Sequence, residues 1–120
     1  AAADQARAMG PATVLITSVE RVDAPDDVIE MIAVTGEGAW SIRTPRLPMK
    51  ANGSGDITAA LFTAHLHSTG SPAVALSRTT ASVFAVLEET LRSGERELRL
   101  IDAQEAIAHP QERFEVTQLR

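Results

Sequence analysis

The stretch ATVLIT at residues 12–17 constrains the fold of this chain more than any other. It is short, continuously apolar and rich in β-branched side chains. That pattern fits a strand buried on both faces, as in a parallel sheet. Residues 2–9 read as the last turns of a helix, stopped by Gly10-Pro11. Helix, tight turn and buried strand together make half of a right-handed crossover unit.

The rest of the chain does not supply the neighbours such a strand needs. DDVIEMIAVT, GEG and AWSIRT read as a hairpin with Gly36 and Gly38 in its turn. Trp40 and Ile42 alternate with Ser41 and Arg43, so one face is expected to be solvated. PRLPMKANGSG is a loop, and a helix is expected from about Asp56 to Ser68. Ser71 and Pro72 open the next helix in the usual order, cap then proline. Its apolar stripe is Leu76, Thr80, Val83, Leu87 and Leu91, and Gly94 ends it. ELRLI at 97–101 reads as a strand, and Asp102 to Glu105 as a capping box before a short helix that stops at His109-Pro110. One parallel-type strand, one hairpin and a late strand do not complete a sheet, and no cap precedes the first helix. The expectation is an α/β chain, the C-terminal part of a larger protein whose other residues carry most of the sheet.

Composition narrows the function. With 120 residues there is chain for one domain. A net charge of −5 argues against general nucleic-acid binding, which needs an excess of Lys and Arg. The absence of cysteine excludes disulfides, thiolate catalysis and zinc–thiolate sites. No apolar run approaches the roughly 20 residues that span a bilayer, and the opening AAADQARAMG lacks the pattern of a signal peptide. Cytoplasmic location without membrane attachment is the default expectation.

The chemistry centres on Gly53-Ser54-Gly55-Asp56, where a loop turns into an alanine-rich helix. A helix N-terminus carries unpaired N–H donors and partial positive charge, a site for an anion. Glycines let backbone approach that anion closely. Converging N–H groups can stabilise charge on a transferring phosphoryl group, and a carboxylate beside them can take the proton of an attacking hydroxyl. A helix start favours the charged carboxylate, which suits an aspartate that orients the alcohol and takes its proton late. The same four residues also make an ordinary flexible turn with a helix cap. The spacing is neither that of a Walker A loop nor of G-x-G-x-x-G.

Arg43, Arg46 and Lys50 precede the glycines. They read as a cationic cluster for a polyphosphate or as solvated loop residues. Thr17-Ser18 end the apolar run, where α/β proteins place ligand contacts, or are plain loop-start hydroxyls. His65 and His67 stand two apart on a helix and point to different faces, so a shared metal ion is not expected. Thr79, Thr80 and Ser82 suit either close helix packing or a ligand wall.

VTGEGAWSIRTPRLPMKANGSGDITAALFTAHL resembles the C-terminal region of the ribokinase-like superfamily, in which a Gly-x-Gly-Asp motif forms an anion hole. The pyridoxal kinase branch is most similar, through VLITS, the VT…AW hairpin and the ending AQEAIAHPQERFEVTQL, and the resemblance covers essentially the whole chain. It implies a mostly parallel central sheet flanked by helices, with residues 1–120 forming the C-terminal nucleotide-binding and anion-hole portion of one kinase domain. It further implies Asp56 as base near the 5′-hydroxymethyl group of pyridoxal, and Gly53, Ser54 and Gly55 donating N–H groups to the γ-phosphate of ATP. Thr17 and Ser18 would contact ATP phosphates, and Thr44, Pro45, Arg46 and Leu47 would line the nucleotide side. Family members use Mg2+, often with a monovalent cation, and form homodimers. The resemblance places the vitamin pocket and the metal-binding residues in the N-terminal part, so this portion alone is not expected to be active. Many hydroxymethylpyrimidine kinases carry cysteine in place of Asp56, and sugar kinases precede the glycines with an Asp-Thr-Thr-like segment instead of Met49-Lys50-Ala51-Asn52. Those relatives, and a non-catalytic nucleotide-binding or interaction segment, are the alternative readings.

Overall fold

The computed structural model describes residues 2–19, 27–48, 53–94 and 97–120. Their elements run α1 (Ala2–Ala8), β1 (Val14–Val19), β2 (Val28–Val34), β3 (Ala39–Pro45), α2 (Ser54–Thr69), α3 (Pro72–Ser93), α4 (Gln104–Ala108) and β4 (Val116–Gln118). The sheet order is β1-β2-β3-β4, and every pairing is antiparallel. The apolar run of β1 thus pairs antiparallel with β2, not in the parallel manner its composition suggested. Among the described residues β1 has a strand on one edge only.

Register sorts the side chains onto two faces. Leu15 opposes Ala33, and Ala33 opposes Trp40; Met31 opposes Ile42, and Ile42 opposes Val116. This face meets Phe62 of α2 and Ala75 and Leu76 of α3 in the main core. On the other face Val34 and Ala39 pack with Ala3 of α1, flanked by Val14, Ile16 and Ile32. Both faces of the sheet are therefore covered near its centre, so the solvated face expected of the hairpin is only partly so. Buried Glu30 accepts hydrogen bonds from Ser41 Oγ at 2.9 Å and Arg43 Nε at 3.2 Å.

The hairpin turn works differently from a glycine turn with positive φ. Thr35 N–H donates to Gly38 O at 2.9 Å, and Glu37 N–H to Thr35 Oγ1 at 3.0 Å. A Cβ on Gly38 would stand 2.7 Å from the backbone oxygen of Arg120, so glycine is required there by the approach of the C-terminus. Arg120 also pairs with Asp4, holding that carboxyl below its ordinary pKa, chiefly through the hydrogen bond.

Helix α3 is the spine. Its buried residues include Ala75, Leu76, Thr79, Thr80, Val83, Val86 and Thr90, while Leu91 is 39% exposed. The buried stripe therefore drifts off the expected line at its C-terminal end. Thr80 donates back to Leu76 O, and Ser82 Oγ to Ala106 O at 2.8 Å, joining α3 to α4. Hydroxyls are thus used in packing.

Two expectations for the last third fail. Residues 98–103 form loop and turn instead of a strand, with Ala103 N–H donating to Arg99 O. Arg99 N–H bonds to Thr90 Oγ1 and its Nε to Asp102 Oδ2 at 2.6 Å, so this segment is tied to α3 and to itself. Asp102 is thereby withdrawn from capping, and α4 begins after Ala103 without a side-chain cap. The three-residue strand β4 went unpredicted, although Phe114 and Val116 alternate with Glu115 and Thr117.

Candidate active site

Helix α2 starts one residue after Gly53, which has φ 87° and ψ 2° in the left-handed region. A side chain is strained there, so glycine at this position is a conformational requirement. Ile57 N–H donates to Gly53 O at 3.0 Å as the first bond of the helix. Ahead of it, the N–H groups of Gly53, Ser54, Gly55 and Asp56 have no intrahelical partner by geometry, and Gly53 has no side chain of its own to cap the turn. Ser54 O is taken by Thr58 Oγ1 at 2.7 Å.

Gly55 is different. Its φ is not positive, and apart from its chain neighbours and the backbone of its own helix no described atom lies within 4 Å of the Cβ position. Neither backbone conformation nor packing among the described residues demands glycine there. A helical Cα–Cβ bond tilts toward the N-terminus, so a methyl group at Gly55 would intrude on an anion seated over the first turn. Asp56 is exposed in that same turn. The open N–H groups and the Asp56 carboxylate thus form a polar cradle in the first turn of α2.

The second group of predicted residues lies at the strand ends. Ile16 opposes Ile32 but Val19 opposes Glu30, so an extra residue is accommodated at Thr17-Ser18. This β-bulge re-aims the end of β1, and Thr17 is exposed. Thr44 and Pro45 end β3, opposite Ile29 and Val28. Arg46 N–H donates to Asp27 O at 2.7 Å, and Leu47 is half-buried. Because β1 and β3 both run antiparallel to β2, their carboxyl ends share one end of the sheet, two strand spacings or about 10 Å apart. The chain therefore brings Thr17-Ser18 and Thr44–Leu47 to one edge. Residues 46–52 connect that edge to the glycine turn, and 49–52, including Lys50, lie outside the described residues. Arg43 is engaged by Glu30, whose side chain is only 4% exposed, so it serves the sheet and is withdrawn from the suggested cationic cluster.

His65 is half-buried and His67 exposed. Burial first, and Arg78 second, hold the His65 pKa below the ordinary histidine value. One neighbour of the site was not suggested by any sequence pattern. Leu98 Cδ1 lies 3.6 Å from the Cβ position of Gly53.

No family model matches the chain. The pyridoxal kinase PdxY of Leifsonia xyli subsp. xyli is 60% identical over 119 residues, covering 99% of this chain and 42% of that protein. The chain is similar to the C-terminal part of pyridoxal kinases. It spans about two-fifths of the length of the relative it matches. A solved pyridoxal kinase from Leishmania donovani, in complex with ADP and pyridoxine, superposes with a TM-score of 0.86 at 24% identity, over 99% of this chain and 43% of that one. A candidate phosphomethylpyrimidine kinase of Bacteroides thetaiotaomicron, in a form with pyridoxal, gives 0.83 at 22% identity, over 98% and 42%. The architecture is thus part of a ribokinase-like α/β fold, and the antiparallel sheet seen here is the portion this chain contributes. No helix among the described residues is long and apolar enough to cross a membrane.

Proposed function

We propose that the intact protein transfers the γ-phosphoryl group of ATP to the 5′-hydroxyl of pyridoxal, and that residues 1–120 are the C-terminal nucleotide-binding and anion-hole portion of its single kinase domain. The observation that carries this is the uncapped left-handed turn at Gly53 beside an exposed Asp56, in a chain 60% identical to a pyridoxal kinase. The N–H groups of Gly53, Ser54 and Gly55 receive the γ-phosphoryl oxygens. Asp56 accepts a hydrogen bond from the 5′-hydroxyl and aligns its oxygen with phosphorus. The new P–O bond forms as the bond to the β-phosphate oxygen breaks, the hydroxyl proton passes to Asp56, and ADP leaves. Thr17 and Ser18 hold the remaining phosphates, and Thr44, Pro45, Arg46 and Leu47 line the nucleotide.

Among the described residues no three His, Asp or Glu side chains converge on one point. The resemblance places the residues near Mg2+ in the N-terminal part of the intact protein, where the metal would neutralise charge on the transferring phosphates. No step here runs through it or through a monovalent cation. Cytoplasmic location as the default, and a homodimer as the resemblance implies, accompany the reading.

The test is a competition assay with the purified intact protein, MgATP, pyridoxal, a hydroxymethylpyrimidine and a sugar. Pyridoxal is expected to show a kcat/KM at least about tenfold above the others, a gap of about 1.4 kcal/mol. Preference for the pyrimidine, the substrate class in the name of the Bacteroides neighbour, would keep the mechanism and replace the substrate. Phosphorylation of none of the three would remove the kinase reading and favour a non-catalytic nucleotide-binding segment.

A further inference from the structure

The glycine turn lacks the usual means of being held. Glycine has no side chain to confine its backbone, and Gly53 has no side-chain cap to fix the helix start. Phosphoryl transfer nonetheless needs donors fixed in place, since a misplacement of about 1 Å can cost about a hundredfold in rate. Among the described residues, a contact from elsewhere in the chain can hold the turn.

The segment after α3 does so. Leu98 Cδ1 stands 3.6 Å from the Cβ position of Gly53, and among the described residues beyond its chain neighbours no other atom lies within 4 Å of that point. Leu98 is half-buried, whereas Leu100 and Ile101 are 43% and 81% exposed, so Leu98 is the apolar side chain of this segment turned against the glycine. Its backbone is anchored from α3. Thr90 is fully buried, its hydroxyl donating to Val86 O at 2.7 Å and accepting from Arg99 N–H at 3.1 Å. The pair between Arg99 Nε and Asp102 Oδ2 closes the turn that follows. The end of α3 fixes residues 98–99, and these fix the methyl groups that back Gly53.

We propose that Leu98, anchored through the Thr90 hydroxyl, is a positioning residue that holds Gly53 in its left-handed conformation and so aims the N–H groups of the cradle. Its catalytic consequence rests on the phosphoryl-transfer reading above; its structural part does not.

The test uses four variants of the intact protein. Leu98→Ala is expected to lower kcat about 10- to 100-fold while the KM for ATP stays within about threefold. Leu98→Met should restore most of the rate. Thr90→Val, which keeps the shape and loses the hydroxyl, should follow Leu98→Ala, and Thr90→Ser should follow the parent. Amide exchange supplies a readout independent of activity. The Ile57 N–H, bonded to Gly53 O, should exchange at least about tenfold faster in Leu98→Ala, while the Ala75 N–H at the start of α3 should not change. In an active parent, unchanged kcat and unchanged Ile57 exchange in Leu98→Ala would overturn the proposal. Loss of rate with equal acceleration at both amides would overturn it too, as general destabilisation. A parent that phosphorylates nothing would remove the catalytic role along with the kinase reading, whatever the exchange shows.

Discussion

Two helices in this chain begin in opposite ways. At α3, Ser71 sits in extended conformation, its Oγ accepts Val74 N–H at 3.2 Å, and proline occupies the first turn. Ala75 N–H reaches Ser71 O at 2.9 Å, and Ser71 N–H is taken by Thr69 Oγ1 at 3.2 Å. The donors at that start are used by the chain itself. At α2 a left-handed glycine without a side chain stands at the cap position, and Gly55 and Asp56 face solvent. A serine cap contributes about 1 kcal/mol, and glycine in a helix gives up about as much relative to alanine. A glycine cap gives up only roughly a few tenths of a kcal/mol relative to serine, so the cost at α2 falls mainly on Gly55, and α3 carries neither cost. On the reading proposed above, that difference separates a helix start built for stability from one left open for a ligand.

The largest effect that would sharpen this contrast is at Asp56. Asp56→Asn in the intact protein keeps the size of the side chain and removes its ability to take a proton. Turnover is expected to fall about 10²- to 10⁴-fold, with the equilibrium affinity for ATP close to that of the parent. Steady-state kinetics beside a nucleotide titration measures both. Near-normal turnover would sink the assignment of Asp56 and leave α2 as a merely unusual helix start.

A pair of substitutions with smaller effects tests the comparison from both sides. Gly55→Ala meets no described atom within 4 Å apart from its chain neighbours and the backbone of its own helix and gains helix propensity, so it should stabilise the protein by up to about 1 kcal/mol. Its methyl group intrudes on the anion, so turnover should drop about tenfold. Ser71→Ala should do the reverse, costing about 1 kcal/mol with turnover unchanged. Denaturant unfolding and kinetics on the two variants give a crossed pattern. If Gly55→Ala were stabilising and fully active, the space above α2 would hold no phosphoryl group.

How legible this was depended on how local each feature is. The start and stop of α3 were readable because Ser71-Pro72 and Gly94 act on their own backbone, and α2, expected from about Asp56 to Ser68, runs from Ser54 to Thr69. The hairpin was readable from its alternation. What failed was decided by distant partners. ELRLI alternates like a strand, but Thr90 takes the Arg99 N–H that a ladder would have used. Asp102 looks like a cap, but Arg99 engages it. Arg43 looks like a phosphate ligand until the register sets it opposite buried Glu30. The site divides along the same line: the glycine turn is written in four consecutive residues, whereas the bulge at Thr17-Ser18 exists only against β2. Leu98 beside Gly53 has no sequence signal, because α2, α3 and a turn separate the two.

The smallest expected effect concerns the other end of α2, where stability and not chemistry should respond. His65 is half-buried, and its Nε2 is buried without a hydrogen-bond partner among the described residues. Burial first and Arg78 second lower its pKa. The folded state thus binds the proton more weakly than the unfolded chain, whose histidine titrates near pH 6.5. Stability from this group is complete above about that pH and declines as pH falls through it, because only the unfolded state is relieved by protonation. Urea midpoints for parent and His65→Leu between about pH 7.5 and 5.5 measure this, the variant being expected to show the flatter decline. Carboxylates titrate mainly below that window, so they obscure little of it. The pH profile of kcat, measured where both proteins stay folded, should be the same for the two, since His65 lies about two and a half turns along α2 from Asp56. An equally steep decline in His65→Leu would assign the acid sensitivity to other groups. A shifted kcat profile would instead mean that the two ends of α2 are coupled, and that the open start draws on the packing behind it.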